Sequence, residues 1–170
     1  MGAPSWRMLE TEIGFGPQSS WPSVVVTMPD GAEPVSLRGR IDGVERVGDV
    51  VRAVEFKSGR GDGYRRRLQD GALDTQFQLV VYAAAVERAR RAGRLPPDCT
   101  TVDGVYVGFR DLAEHTLRDA LGGDGRKRLP RYDVDALVAD GAAGEGALGD
   151  AVRRVVGPLR AGRFEPRPRD

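Results

Sequence analysis

Cysteine and histidine each occur once in 170 residues, as Cys99 and His115. A lone thiol excludes an internal disulfide and any cysteine-built zinc or iron–sulfur site within the chain, and it fits a reducing, cytoplasmic location. Long apolar runs are missing as well. None approaches the roughly 18 residues that a membrane span needs, so no membrane partner is expected, and the N-terminus lacks a signal-peptide core. There is no internal repeat and no low-complexity tract. Charged residues make up 30% of the chain but balance to a net +1. That balance excludes a histone-like basic protein and leaves room for local basic patches. Lysine is scarce: Lys57 and Lys127 are the only two, and arginine supplies the other cations. A lysine kept between Phe56 and Ser58 in such a chain points to a need for a compact, mobile ammonium in place of a planar guanidinium fork.

What is present reads as one domain, residues 1–170, long enough to bury roughly 70% of its unfolded surface. Leu9–Gly16 alternates polar and apolar residues and predicts a short extended piece, and Pro17–Pro22 a turn. Val24–Met28 is a β-branched run closed by Pro29-Asp-Gly31. Val35–Asp42 and Val50–Lys57 follow as strands with a loop at Gly48 and Asp49 between them, so three strands in short succession predict an antiparallel meander. Helical periodicity runs from Gly71 to Ala92, with Phe77, Val80, Val81, Ala84 and Ala85 on the apolar face and Arg88, Arg90 and Arg91 turned to water. Val102–Phe109 predicts a fourth strand, parallel to its neighbour after a crossover through that helix. Leu112–Leu121 reads as a short helix or a strand with a loop. Val134–Val138 reads as helical, and Glu145–Arg160 as an amphipathic helix carrying Leu148, Val152, Val155, Val156 and Leu159 on one side.

Chemistry concentrates between Val35 and Tyr82. Strand side chains alternate, so Glu55 and Lys57 project to one side and Phe56 to the other. With Asp42 ending the neighbouring strand, two carboxylates and one amine converge at a sheet edge. Such a set suits a divalent metal and the hydrolysis of a phosphodiester. Gln78 and Tyr82, four apart, share a helix face beyond it.

Gly39-Arg-Ile-Asp42, Glu55-Phe-Lys-Ser-Gly59 and Gln78-x-x-x-Tyr82, in this order, resemble the PD-(D/E)XK nucleases. The likeness is to the RecB/AddB-type nuclease domain of bacterial helicase–nucleases, with its G-R-I-D-R-V-D, D-Y-K-T-G and Q-L-x-L-Y wording, and it is clearest from Leu9 to Tyr82. It implies an α/β, restriction-endonuclease-like mixed sheet flanked by helices. It further implies Mg²⁺- or Mn²⁺-dependent cleavage of DNA, as an exonuclease module in double-strand-break repair alongside a helicase domain or a helicase partner. Asp42, Glu55, the Phe56 carbonyl and Glu12 would hold the metal, with Glu10 competing for the role of Glu12. Lys57 would position or deprotonate the attacking water, Gln78 would orient the lysine or that water, and Tyr82 would hold a DNA phosphate. Arg60, Arg65, Arg66 and Arg67 would meet the DNA backbone.

The chain departs from the pattern where Gly43 and Glu45 replace an Arg and an Asp, and where Glu55 stands for a commoner Asp. The family's upstream histidine helix is missing. Ala161-Gly-Arg-Phe-Glu-Pro-Arg-Pro168 resembles the approach to a cysteine cluster that does not follow, so the chain reads as an excised piece of a larger helicase–nuclease. Blander readings stand beside each feature. Glu55 and Lys57 suit a surface ion pair, Asp42 a turn, Tyr82 a core ring with its hydroxyl at the rim, and the arginine cluster a solvated loop. His115 reads as a surface residue. The alternative for the whole chain is a non-catalytic DNA-binding or scaffolding domain.

Overall fold

The structure is a computed structural model and describes residues 5–59, 63, 77–121 and 132–163. Its centre is a five-stranded mixed sheet in the order β1-β4-β5-β6-β7. The strands are β1 (Arg7–Phe15), β4 (Gly39–Val47), β5 (Val50–Lys57), β6 (Thr101–Gly108) and β7 (Glu114–Thr116). β5 and β6 run parallel, and the other neighbours are antiparallel. A separate antiparallel ribbon joins β2 (Val24–Val26) to β3 (Val35–Leu37) around a 3-10 turn at Pro29–Gly31. Helices α1 (Gln78–Arg91), α2 (Leu117–Leu121), α3 (Val134–Ala143) and α4 (Gly146–Arg160) complete the described chain. This is the mixed α/β sheet flanked by helices that the restriction-endonuclease-like resemblance implied.

α1 lies between the sheet and α3 and is buried on more than the predicted stripe: Leu79, Ala83, Val86 and Ala89 are buried along with Val80, Ala84 and Ala85. A helix enclosed on two sides needs apolar residues around most of its circumference. Small side chains permit the close approach. A Cβ at Gly104 of β6 would lie 2.8 Å from Leu79 Cγ. The three arginines predicted to face water have protein partners: Arg88 and Arg91 reach the Ala142 and Ala139 carbonyls of α3, and Arg90 and Arg91 bind Glu87.

Two expectations about the strands are corrected. Val35–Asp42 is not one strand ending in Asp42; the chain changes partners at Arg38. Val35–Leu37 pairs with β2, and Gly39 onward pairs with β1. The predicted meander of Val24–Met28, Val35–Asp42 and Val50–Lys57 is therefore replaced by β1-β4-β5, with the ribbon set aside. Glycines allow the crossing. A Cβ at Gly16 (φ 131°) would lie 2.5 Å from the Arg38 Cβ, and one at Gly39 would lie 2.9 Å from the Phe15 ring. Leu112–Leu121 resolves into both of its readings, strand β7 followed by α2. The amphipathic α4 buries Leu148 and Val152, whereas Val155 and Leu159 at its far end are exposed. The predicted helix start at Gly71–Gln76 lies outside the described residues.

Candidate active site

Asp42 lies inside β4, at the point where the β4–β5 ladder stops. The last paired residues are Gly43 and Val54. One step further, at Asp42 and Glu55, the strands part. The Phe56 amide, released from the ladder, donates instead to Asp42 Oδ2 at 2.9 Å. A strand end was therefore not needed to bring the carboxylates together; a parting of strands served.

Strand alternation puts Glu55 and Lys57 on the face covered by α1. Lys57 Nζ donates to Glu55 Oε1 at 2.6 Å and to Gln78 Oε1 at 2.8 Å. Gln78 Nε2 donates to Glu55 Oε1 at 3.0 Å and to the Tyr82 hydroxyl at 3.1 Å. Gln78 can do both because its amide carries an acceptor and a two-proton donor. One turn of α1 supplies the i, i+4 contact to Tyr82. The Tyr82 ring is braced edge-on by Phe15, with centroids 5.9 Å apart, and Lys57 Nζ sits 5.2 Å from the Tyr106 ring centroid.

The site is short of positive charge. Burial pushes the Glu55 carboxyl above the usual range; Lys57 opposes this, and neighbouring Asp42 adds to it. Burial likewise raises the Tyr82 hydroxyl, opposed by the Gln78 hydrogen bond and assisted by Glu55 and Asp42. Two carboxylates side by side with one ammonium leave an excess of negative charge, which a cation with oxygen ligands would relieve. Asp42, Glu55 and the Phe56 carbonyl are hard oxygen donors of the kind Mg²⁺ and Mn²⁺ take, so the residues present fit such an ion.

The structure thus brings Asp42, Glu55, Lys57, Gln78 and Tyr82 together, but it does not bring the Glu12 carboxylate to them. Glu12 has a left-handed backbone (φ 52°) in β1, between the pairs Thr11–Gly43 and Ile13–Ile41. Its backbone therefore faces Asp42, while its side chain is 63% exposed and pairs with Arg40 at 3.1 Å. Among the described residues no three acidic, histidine or cysteine side chains cluster to hold a metal. Arg60, Arg65, Arg66 and Arg67 lie outside the described residues.

His115 is not the surface residue the sequence suggested. It pairs with Tyr106 across β6–β7, and Tyr106 pairs with Glu55 across β5–β6, so the three occupy one row of the sheet. His115 is half-buried, and its Nε2 is buried without a hydrogen-bond partner among the described residues. Tyr106, 1% exposed beneath the lysine, had no signal in the sequence to single it out. The alternation of Val102–Phe109 marked a strand, but its register against β5 was not legible.

The family model for the PD-(D/E)XK nuclease superfamily matches residues 2–170. One of the subunits of an ATP-dependent helicase/deoxyribonuclease from Pelotomaculum thermopropionicum is 34% identical over 90 residues, which cover 50% of this chain and 7% of that protein. The chain therefore matches only a small part of that relative's length. A solved structure described as SSO0001 overlays 94% of this chain and 52% of its own at 12% identity, with a TM-score of 0.33, too slight a likeness to bear on the fold. With the strand pair, the carboxylates and the lysine described above, the match over nearly its whole length makes this chain a member of the PD-(D/E)XK nuclease superfamily.

Proposed function

We propose that the chain is a metal-dependent deoxyribonuclease that hydrolyses DNA phosphodiesters, an exonuclease module working in double-strand-break repair alongside a helicase partner or a helicase domain of a larger parent. The observation that carries this reading is the linked set of Asp42, Glu55, Lys57 and Gln78 at the parting of β4 and β5. Asp42, Glu55 and the Phe56 carbonyl would hold Mg²⁺ or Mn²⁺. When bound, the ion would supply Lewis acidity at the phosphate and a lowered pKa for water.

The chain's own residues do the rest. Lys57, fixed by Glu55 and Gln78, presents its remaining N–H toward the water or the phosphate and places positive charge where negative charge develops. Gln78 holds the lysine's direction through one end of its amide and Tyr82 through the other. The Tyr82 hydroxyl accepts from Gln78 and so keeps its own proton for a DNA phosphate. Arg60, Arg65, Arg66 and Arg67 supply phosphate contacts along the backbone.

The experiment is manganese titration by calorimetry together with cleavage of an end-labelled single strand, using wild type, Asp42→Ala and Glu55→Ala. Both variants should stay folded and lose metal binding and cleavage. Unchanged manganese affinity in both would sink the metal assignment. The departure of Glu12 toward Arg40 favours a second reading, a DNA-binding domain without catalysis. Metal-dependent cleavage by wild type would exclude it.

A further inference from the structure

Among the described residues six large apolar side chains are exposed, and three of them, Phe56, Phe109 and Leu112, belong to the strand end that carries the candidate site or to the β6–β7 turn beside it. Phe56 is 37% exposed and Phe109 61%. Their rings lie stacked, with centroids 5.3 Å apart and planes 8° from parallel. The sheet dictates this. Phe56 pairs with Val107 across parallel β5 and β6, so Phe109, two residues on, projects to the same face as Phe56. The pair is also tied to the site through the backbone. The Phe56 amide donates to Asp42, and the Phe109 amide donates to the Lys57 carbonyl at 2.8 Å.

Leaving two phenylalanine faces in water forgoes the burial that Phe15 and Tyr106 have in the same sheet. A patch of three side chains is far below the roughly 1,000 Å² of a stable protein interface. It matches the width of one or two bases. Arg110 and Asp111, both exposed in the same turn, balance in charge, so what the turn offers a strand is the flat face of the rings.

We propose that Phe56 and Phe109 form a stacking platform for unpaired bases of single-stranded DNA next to the phosphate held at Asp42, Glu55 and Lys57. This rests on the nuclease reading and gives it a substrate class: a single strand or frayed end, whose base faces are free, in place of a closed duplex, whose base faces are covered. A strand crossing the end of β5 would meet the carboxylates on one face and the rings on the other.

The test measures binding and not turnover. Fluorescence anisotropy in EDTA would compare a labelled oligothymidylate with the same backbone built from abasic spacers, for wild type, Phe109→Ala and Phe109→Trp. Phe109 is mostly exposed, so neither change threatens the fold. Phe109→Ala should weaken oligothymidylate binding on the order of tenfold. Phe109→Trp should bind as wild type or tighter, and the abasic backbone should bind all three proteins alike. Equal oligothymidylate affinity in wild type and Phe109→Ala would overturn the platform, as would an equal loss on the abasic backbone or a wild type that binds no oligothymidylate. If Phe109→Ala leaves the oligonucleotide untouched and instead dissociates a dimer in sedimentation, the rings cover a second copy and the inference also fails. Cleavage with Mg²⁺ is scored separately. A chain that shows the base-dependent loss but never cuts keeps the platform and loses the nuclease reading; one that cuts without the loss does the reverse.

Discussion

β5 carries two ionic clusters on opposite faces, only three residues apart, and they are built to opposite ends. On one face Arg52 is 3% exposed. Its Nε donates to Glu45 at 2.5 Å, and its two terminal nitrogens grip Glu114 at 2.7 and 2.9 Å. Trp6 closes the cluster, with its ring 3.7 Å from the guanidinium carbon. A planar fork with five donors, two carboxylates and an aromatic face leaves little for a ligand to add. On the other face the count is the same, Glu55 and Asp42 to Lys57, but the hydrogen bonds that Lys57 and Gln78 donate to Glu55 both fall on Oε1. The first cluster pins β4, β5, β7 and the N-terminal segment. The second holds unspent acceptors where a ladder ends and the strands part. A buried cation bonded through all three of its nitrogens between paired strands is a fastener, and a carboxylate pair left partly bonded where strands part is a site.

That contrast is broken most forcefully at Arg52. Arg52→Ala strands Glu45 and removes a desolvated charge pair, so it should cost about 3–5 kcal/mol of stability by urea denaturation. Oligonucleotide affinity per folded molecule should stay unchanged. A loss below about 1 kcal/mol would show that the cluster is no fastener.

Lys57→Arg should act the other way. Stability should hold, because the charge is kept and Lys57 is partly exposed, while cleavage should fall on the order of a hundredfold, because the guanidinium cannot place a donor where the ammonium does. Equal cleavage rates for the two proteins would remove Lys57 from the mechanism.

Asp103 sharpens the comparison, being a buried carboxylate that belongs to neither cluster. It is 5% exposed, accepts from the Gly104 amide at 2.7 Å and lies 3.6 Å from Arg118. Burial raises it from 3.8 to about 6. Between those values the folded chain binds more protons than the unfolded one, so stability falls as pH rises through the interval and levels off above it. The span sets an upper bound of about 3 kcal/mol. Asp103→Asn should flatten that slope and stabilise the protein at pH 7 relative to wild type. Identical pH profiles of the denaturation midpoint would contradict this.

The smallest effect belongs to Glu12. An exposed ion pair contributes about 0–1 kcal/mol, so Glu12→Ala should leave stability and manganese affinity nearly unchanged. A clear loss of manganese affinity would show that its side chain swings from Arg40 to the metal.

Much of this was legible in the chain itself. Strand alternation by itself places Glu55 and Lys57 on one face, and a separation of four places Gln78 beside Tyr82, because both rules are local and follow from backbone geometry. β-branched runs and glycine turns located most strands for the same reason. The middle of the sheet was harder. Val35–Asp42 has one continuous pattern, and nothing local marks Arg38 as the point where pairing passes from β2 to β1. That break depends on how closely Phe15 can approach Gly39.

The residue order of this protein alone determined its family motifs, its scarcity of thiols and lysines, and the local pairing of its reactive side chains. The pairing depends on neighbours no more than a few residues apart, and motif order and composition are read directly along the chain. Tertiary structure alone decided that Asp42 meets Glu55 at a parting of strands, that Glu12 turns to Arg40, and that Tyr106 and His115 extend the row from Glu55. It also set Phe109 against Phe56. These contacts join different strands, some of them far apart in the chain, and α1 seats on that sheet at Gly104. Only the packed core holds that relation, because the free energy that fixes it comes from side chains that meet nowhere along the chain.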